Sequence, residues 1–123
     1  MTTPPTDNIP NSQSAHTVNQ FVLKKKFDHA LNNRIEFKYK EAFKEFDEII
    51  NAFSGLNIAG LTPNEIKLLV GAYCWKADLL RLGNLEDQRM ALTLLDQALA
   101  ADPTHSEAQQ LKKILEFELN FPV

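Results

Sequence analysis

Cysteine is nearly absent from this 123-residue chain. Cys74 stands alone, which excludes an intramolecular disulfide and any zinc or iron–sulfur site built from several cysteines. Glycine is scarce too, at four residues, and nothing resembles a Gly-rich phosphate loop or a nucleophile elbow. No apolar run approaches the ~20 residues that a membrane span needs. The N-terminus, Met1-Thr2-Thr3-Pro4-Pro5, lacks the basic segment and apolar stretch of a secretory signal. An excess of one charge is missing as well: 13 basic against 16 acidic side chains leave a net charge of -3. What remains is 44% apolar and 24% charged residues, ordinary globular composition that excludes wholesale disorder. These absences lead to the expectation of a soluble, cytoplasmic protein without membrane insertion.

Residues 1–17 contain three of the six prolines and one large apolar residue, Ile9. They cannot bury enough surface to offset about 1–2 kcal/mol of backbone ordering per residue. The expectation is a disordered tail at 1–17 and one helical domain at 18–123. Between Val18 and Phe53 there is neither Gly nor Pro. The clearest helical pattern runs from about Phe37 to Phe53, where Tyr39, Ala42, Phe43, Phe46, Ile49, Ile50 and Phe53 share one face. A weaker helix spans Val18 to about Arg34. Asn32-Asn33 is the expected break, since Asn competes for local backbone hydrogen bonds and tolerates left-handed geometry; one unbroken helix is the alternative. Thr62-Pro63-Asn64-Glu65 is a helix start, with a capping Thr, Pro in the first turn and Glu completing a capping box. That helix should stop at Gly83-Asn84. Another should run from Leu85 to Ala101, ended by Asp102-Pro103, and a last one from Thr104 to Asn120. The fold class is therefore all-α, with about five helices.

The 63–82 helix carries two apolar stripes, Ile66-Leu69-Val70-Tyr73-Ala77-Leu80 and Leu68-Ala72-Trp75-Leu79-Leu82. A helix apolar on two faces must be covered on two sides and so lies centrally. Between the stripes runs a narrow seam of Lys67, Gly71, Cys74, Asp78 and Arg81, at spacings of four, three, four and three. There is also an internal echo. Ala42-x3-Phe46-x2-Ile49 parallels Ala91-x3-Leu95-x2-Ala98, the latter followed by Asp102-Pro103. This pattern resembles the second helix of a tetratricopeptide repeat, and Tyr73-x3-Ala77-x2-Leu80 is similar to the first. The resemblance is good over 66–119, weak over 18–53 and absent from 1–17. Ala77 to Ala91 is two residues longer than the family pattern, Lys26 and Asn33 stand where aromatic residues are expected, and Ser54 replaces a proline.

The resemblance implies stacked antiparallel helical hairpins that bind a protein or peptide in a groove lined by the first helices. On this chain that groove projects onto the seam, together with positions on the 18–34 helix. Lys67 and Arg81 would hold acidic partner groups, while Gly71 and Cys74 would let a partner chain approach. The plain alternative is a solvated stripe whose two small residues fill a helix contact. Some family members capture a C-terminal carboxylate with Lys and Asn, but Phe27, Leu31, Cys74 and Asp78 do not match that arrangement.

Other constellations are bland. Lys24-Lys25-Lys26 spreads around most of a helix rather than forming a focused basic patch. His16, His29 and His105 are isolated from further metal-ligand residues. Glu41, Glu45 and Glu48 share a face, without the His that di-metal carboxylate helices place three residues on, and read as a solvated acidic face. Cys74 reads as an inert buried thiol. Phe37, Phe117 and Phe121 form either a satellite packing cluster or an exposed docking surface, from which self-association or partner binding would follow. The resulting expectation is a protein without catalytic residues, metal or cofactor that binds a protein partner as an adaptor, secretion chaperone or toxin inhibitor. The alternatives are a nucleic-acid-associated regulator using the basic first helix, or a small carboxylate or metal enzyme. Charge also has a geography: residues 18–34 carry +3, residues 35–60 carry -2 and residues 61–123 carry -3.

Overall fold

The structure is a computed structural model and describes residues 18–120. The expected tail at 1–17, with His16, lies outside the described residues, as do Phe121 and the helix stop Pro122. Among the described residues there are five α-helices and no strand: α1 (Gln20–Ile35), α2 (Tyr39–Ala52), α3 (Pro63–Arg81), α4 (Leu85–Ala101) and α5 (Ser106–Asn120). A single 3-10 turn, Ile58–Gly60, interrupts the connection before α3. None of these helices is long and apolar enough to cross a membrane.

Helix starts follow local chemistry. Thr62 Oγ1 accepts from the Glu65 N–H at 3.2 Å while Glu65 Oε1 accepts from the Thr62 N–H at 2.8 Å, which closes the expected capping box of α3. Asn84 and Asp87 build a second box at α4 that the sequence reading missed. The end of α1 departs from expectation. Asn32 and Asn33 stay helical, and Phe37 takes the left-handed conformation at φ +64. Around it the Lys38 N–H donates to Asn33 O and the Phe37 N–H to Arg34 O, the two bonds of a Schellman cap. The Asn33 amide is instead buried and donates to Glu45 of α2 at 2.7 Å. A long-range partner overrides its local turn preference.

Side-chain contacts fix the stacking. Against α2, α1 runs antiparallel, joined by Lys26 to Glu48 at 3.1 Å and by His29 to Glu45. Against α3 it runs parallel at an offset of 42 to 44 residues. Gln20 donates to Thr62 at one end and Arg34 to Asp78 at the other. Phe27 lies under Gly71 between them. Helix α3 touches all four other helices, which is the central position that its two apolar stripes require. One side of it (Leu68, Leu69, Ala72, Leu79) joins a core with Ala30, Ala42, Phe46 and Ile49. The other (Val70, Cys74, Ala77, Leu80) joins a core with Ala91, Leu95, Ala98, Ala108 and Leu115. Leu82, placed on a buried stripe by its spacing, caps α3 and is exposed. The echoed positions are equivalent in burial: Ala42, Phe46 and Ile49 in α2, and Ala91, Leu95 and Ala98 in α4, are all 0% exposed. Alanine at each helix crossing lets backbones approach, and the large residue fills the space beside it.

Candidate functional site

The two-sided burial of α3 leaves its seam as the floor of a groove. Along the first half, Lys67 and Leu68 of α3 face Phe21, Lys24 and Phe27 of α1 around a cavity of about 520 Å³. Along the second half, Gly71, Cys74 and Asp78 lie opposite Glu107, Gln110 and Ile114 of α5 around a cavity of about 450 Å³. Phe27 lines both, so the two cavities meet at its ring. Helices α1 and α5 form the walls. The α5 wall is a regular helical face, with Glu107, Gln110, Leu111 and Ile114 recurring at spacings of three and four.

The seam residues have unequal roles. Lys67 is exposed and makes no ion pair among the described residues. Gly71 faces the Phe27 ring: a Cβ there would lie 3.0 Å from Phe27 Cζ, so a larger residue requires the ring to shift by a few tenths of an ångström. Cys74 is buried, and Sγ lies 3.9 Å from His105 Nδ1. That nitrogen already accepts the Ala108 N–H at 3.2 Å, capping α5. Burial, reinforced by the nearby Glu107 carboxylate, pushes the Cys74 thiol up to about 12. It is a thiol and not a thiolate, the opposite of an activated nucleophile.

Asp78 and Arg81 are committed inside the molecule. Arg34 Nε donates to Asp78 at 2.9 Å, and the same guanidinium lies 4.9 Å above the Trp75 ring. Trp75 in turn stacks on Phe46 with ring centroids 6.4 Å apart. Arg81 makes a two-pronged contact with Glu118 of α5, at 3.1 and 2.7 Å. That bond holds the Glu118 carboxyl below its ordinary range and raises Arg81. Four of the five seam residues thus line the groove, whereas Arg81 joins α3 to α5 through Glu118 and is not among its lining residues.

Of two other sequence expectations, the spread of the three lysines agrees with the structure and the solvated acidic face does not. Lys24-Lys25-Lys26 is divided among separate contacts. Lys24 pairs with Asp28 at 2.8 Å, Lys25 lies over the Phe21 ring, and Lys26 reaches Glu48. The acidic face of α2 is not solvated as a whole. Glu45 bonds His29 and Asn33, Glu48 bonds Lys26, and Asp47 receives Lys76 at 2.6 Å. Among the described residues no group of three His, Cys, Asp or Glu side chains is placed to hold a metal. The walls of the groove are only partly legible in the sequence. Phe27 reads there as an apolar residue that fails the carboxylate-binding arrangement, and the periodicity of α5 gives no link to the seam.

Comparison of the chain with family models, with curated proteins and with solved structures finds no match.

Proposed function

We infer that this protein is an interaction module that takes a segment of another protein into the groove between α1, α3 and α5. The groove itself carries that reading. It has about 520 Å³ in one half and 450 Å³ in the other, with mainly apolar walls and polar groups at the margins, the build of a recognition site. An extended segment or a single helix fits such a trough, reading apolar anchors along its length. The equivalent burial of the two Ala-large-apolar triplets supports the tetratricopeptide-like interpretation, in which first helices line the binding face. A non-catalytic role accords with a protonated Cys74 and with His105 Nδ1 occupied in capping α5. A lone cysteine without a disulfide partner also suits a reducing, cytoplasmic setting.

The proposed role is that of an adaptor, a chaperone or an inhibitor, with protein recognition as the shared act. The test is affinity capture with the wild-type chain beside Lys67→Glu and Ile114→Glu, both at exposed groove positions. The expected result is a stoichiometric protein partner that binds at least about tenfold more weakly to the Ile114→Glu chain. Both variants should keep the helical circular dichroism of the wild type. No partner under several salt conditions, or a partner indifferent to both changes, contradicts the reading.

A further inference from the structure

The C-terminal ends of α1, α3 and α5 lie side by side, because Arg34–Asp78 ties α1 to α3 and Arg81–Glu118 ties α3 to α5. Large apolar residues collect at this end. Ile35 and Phe37 follow Arg34, Leu82 and Leu85 follow Arg81, Phe117 precedes Glu118, and Tyr39 opens α2. Their exposure runs from 38% for Tyr39 to 78% for Phe37. Phe37 is held in the left-handed region at φ +64, with its ring edge-on to Tyr39 at 6.0 Å. A bulky residue in that conformation is disfavoured. Gly or Asn would close the same cap at lower cost, so folding alone gives no reason for an exposed phenylalanine there.

We propose that this edge is a homodimer interface, covered by the same edge of a second copy of the chain. Area is the first argument. At about 150–250 Å² for a large side chain, the six exposures leave on the order of 700 Å² per copy, close to the ~800 Å² each partner contributes to a standard-size interface. Charge is the second. Three ion pairs flank the edge, Arg34 with Asp78, Arg81 with Glu118 and Lys38 with Glu36, and the exposed charged neighbours Lys40, Glu86 and Glu116 carry both signs. Two copies can therefore meet with little of the like-charge repulsion that a chain of net charge -3 otherwise carries. An isologous two-fold contact needs only one self-complementary patch, and this one is apolar with charges of both signs around it.

The test is sedimentation velocity of the full chain from about 5 to about 200 μM, where interfaces of micromolar affinity populate both states. A reversible rise toward twice the 13.9 kDa mass is expected. Phe37→Asn with Leu82→Gln should raise the dissociation constant by at least about tenfold. Asn suits the left-handed position, so this variant keeps its fold, and circular dichroism checks that it does. Val22→Ser with Ile58→Ser, exposed positions near the start of α1 and before the start of α3, should leave the dimer unchanged. A monomer at every concentration overturns the proposal. So does a dimer that persists in the edge variant, or one lost equally in the control. A monomeric chain whose edge variant loses a different protein would assign the edge to that partner instead.

Discussion

The first hairpin, α1–α2, and the second, α3–α4 with α5 behind it, solve the same packing problem with different chemistry. In the second, alanines at 0% exposure on α3, α4 and α5 bring the backbones together and leucines fill the remaining space. Capping boxes set the starts of α3 and α4. In the first, Ala30 and Ala42 are equally buried, but an aromatic centre fills the space beside them. Phe27 meets Phe46 edge-on at 5.6 Å, and Phe46 stacks on Trp75. Polar contacts from Lys26, His29 and Asn33 to Glu45 and Glu48 hold the two helices in register. The difference shows that an Ala-large-apolar crossing is enough where both helices are regular. Where the facing helix carries Lys26 and Asn33 in place of aromatics, long-range polar contacts take over.

The comparison can be broken most severely at Phe46. Phe46→Ala should cost about 3–5 kcal/mol and change Trp75 fluorescence, because it empties the centre of the first hairpin; urea unfolding reads the cost. Cys74 probes the second core where it meets the groove. With its thiol pushed from 9.0 up to about 12, alkylation at pH 8 should be on the order of a thousandfold slower in the folded chain than in urea. The linked effect on stability has a definite sign. The folded state favours the protonated thiol, so stability is full below about pH 9 and falls as pH rises from there toward about 12. Iodoacetamide kinetics and high-pH melting curves measure the two effects. Glu45→Ala should cost about 1–3 kcal/mol by leaving the buried Asn33 amide without its acceptor. A loss below about 0.5 kcal/mol would mean that the polar contacts only decorate the hairpin. The smallest effect is a gain. Phe37→Gly should stabilise the monomer by about 0.5–1 kcal/mol, as a left-handed cap is relieved of its side chain.

Legibility in the sequence followed the same division. The start of α3 at Pro63 and both ends of α4 could be read because Thr62, Pro63, Glu65, Gly83 and Pro103 act locally. The Asn32-Asn33 break was misplaced because Asn33 is governed by Glu45, twelve residues away, and no local rule reveals such a partner. For the site, spacing along α3 was enough to mark the seam as one strip, and Lys67, Gly71, Cys74 and Asp78 do line the groove. Spacing could not show that Arg81 would meet Glu118 or that Arg34 would reach Asp78. Nor could it show which faces of α1 and α5 would become the walls. Those depend on the offset between parallel helices, a property of the packed molecule.

The most direct test of the groove as the binding face is photo-crosslinking of the captured complex from single sites. A benzoylphenylalanine placed at Lys67 or Gln110 reports from the groove, and one placed at Thr93 or Gln97 reports from the exposed outer face of α4. The account predicts covalent capture of the partner from the first two positions and none from the last two. Capture from α4, with the groove positions silent, would contradict it.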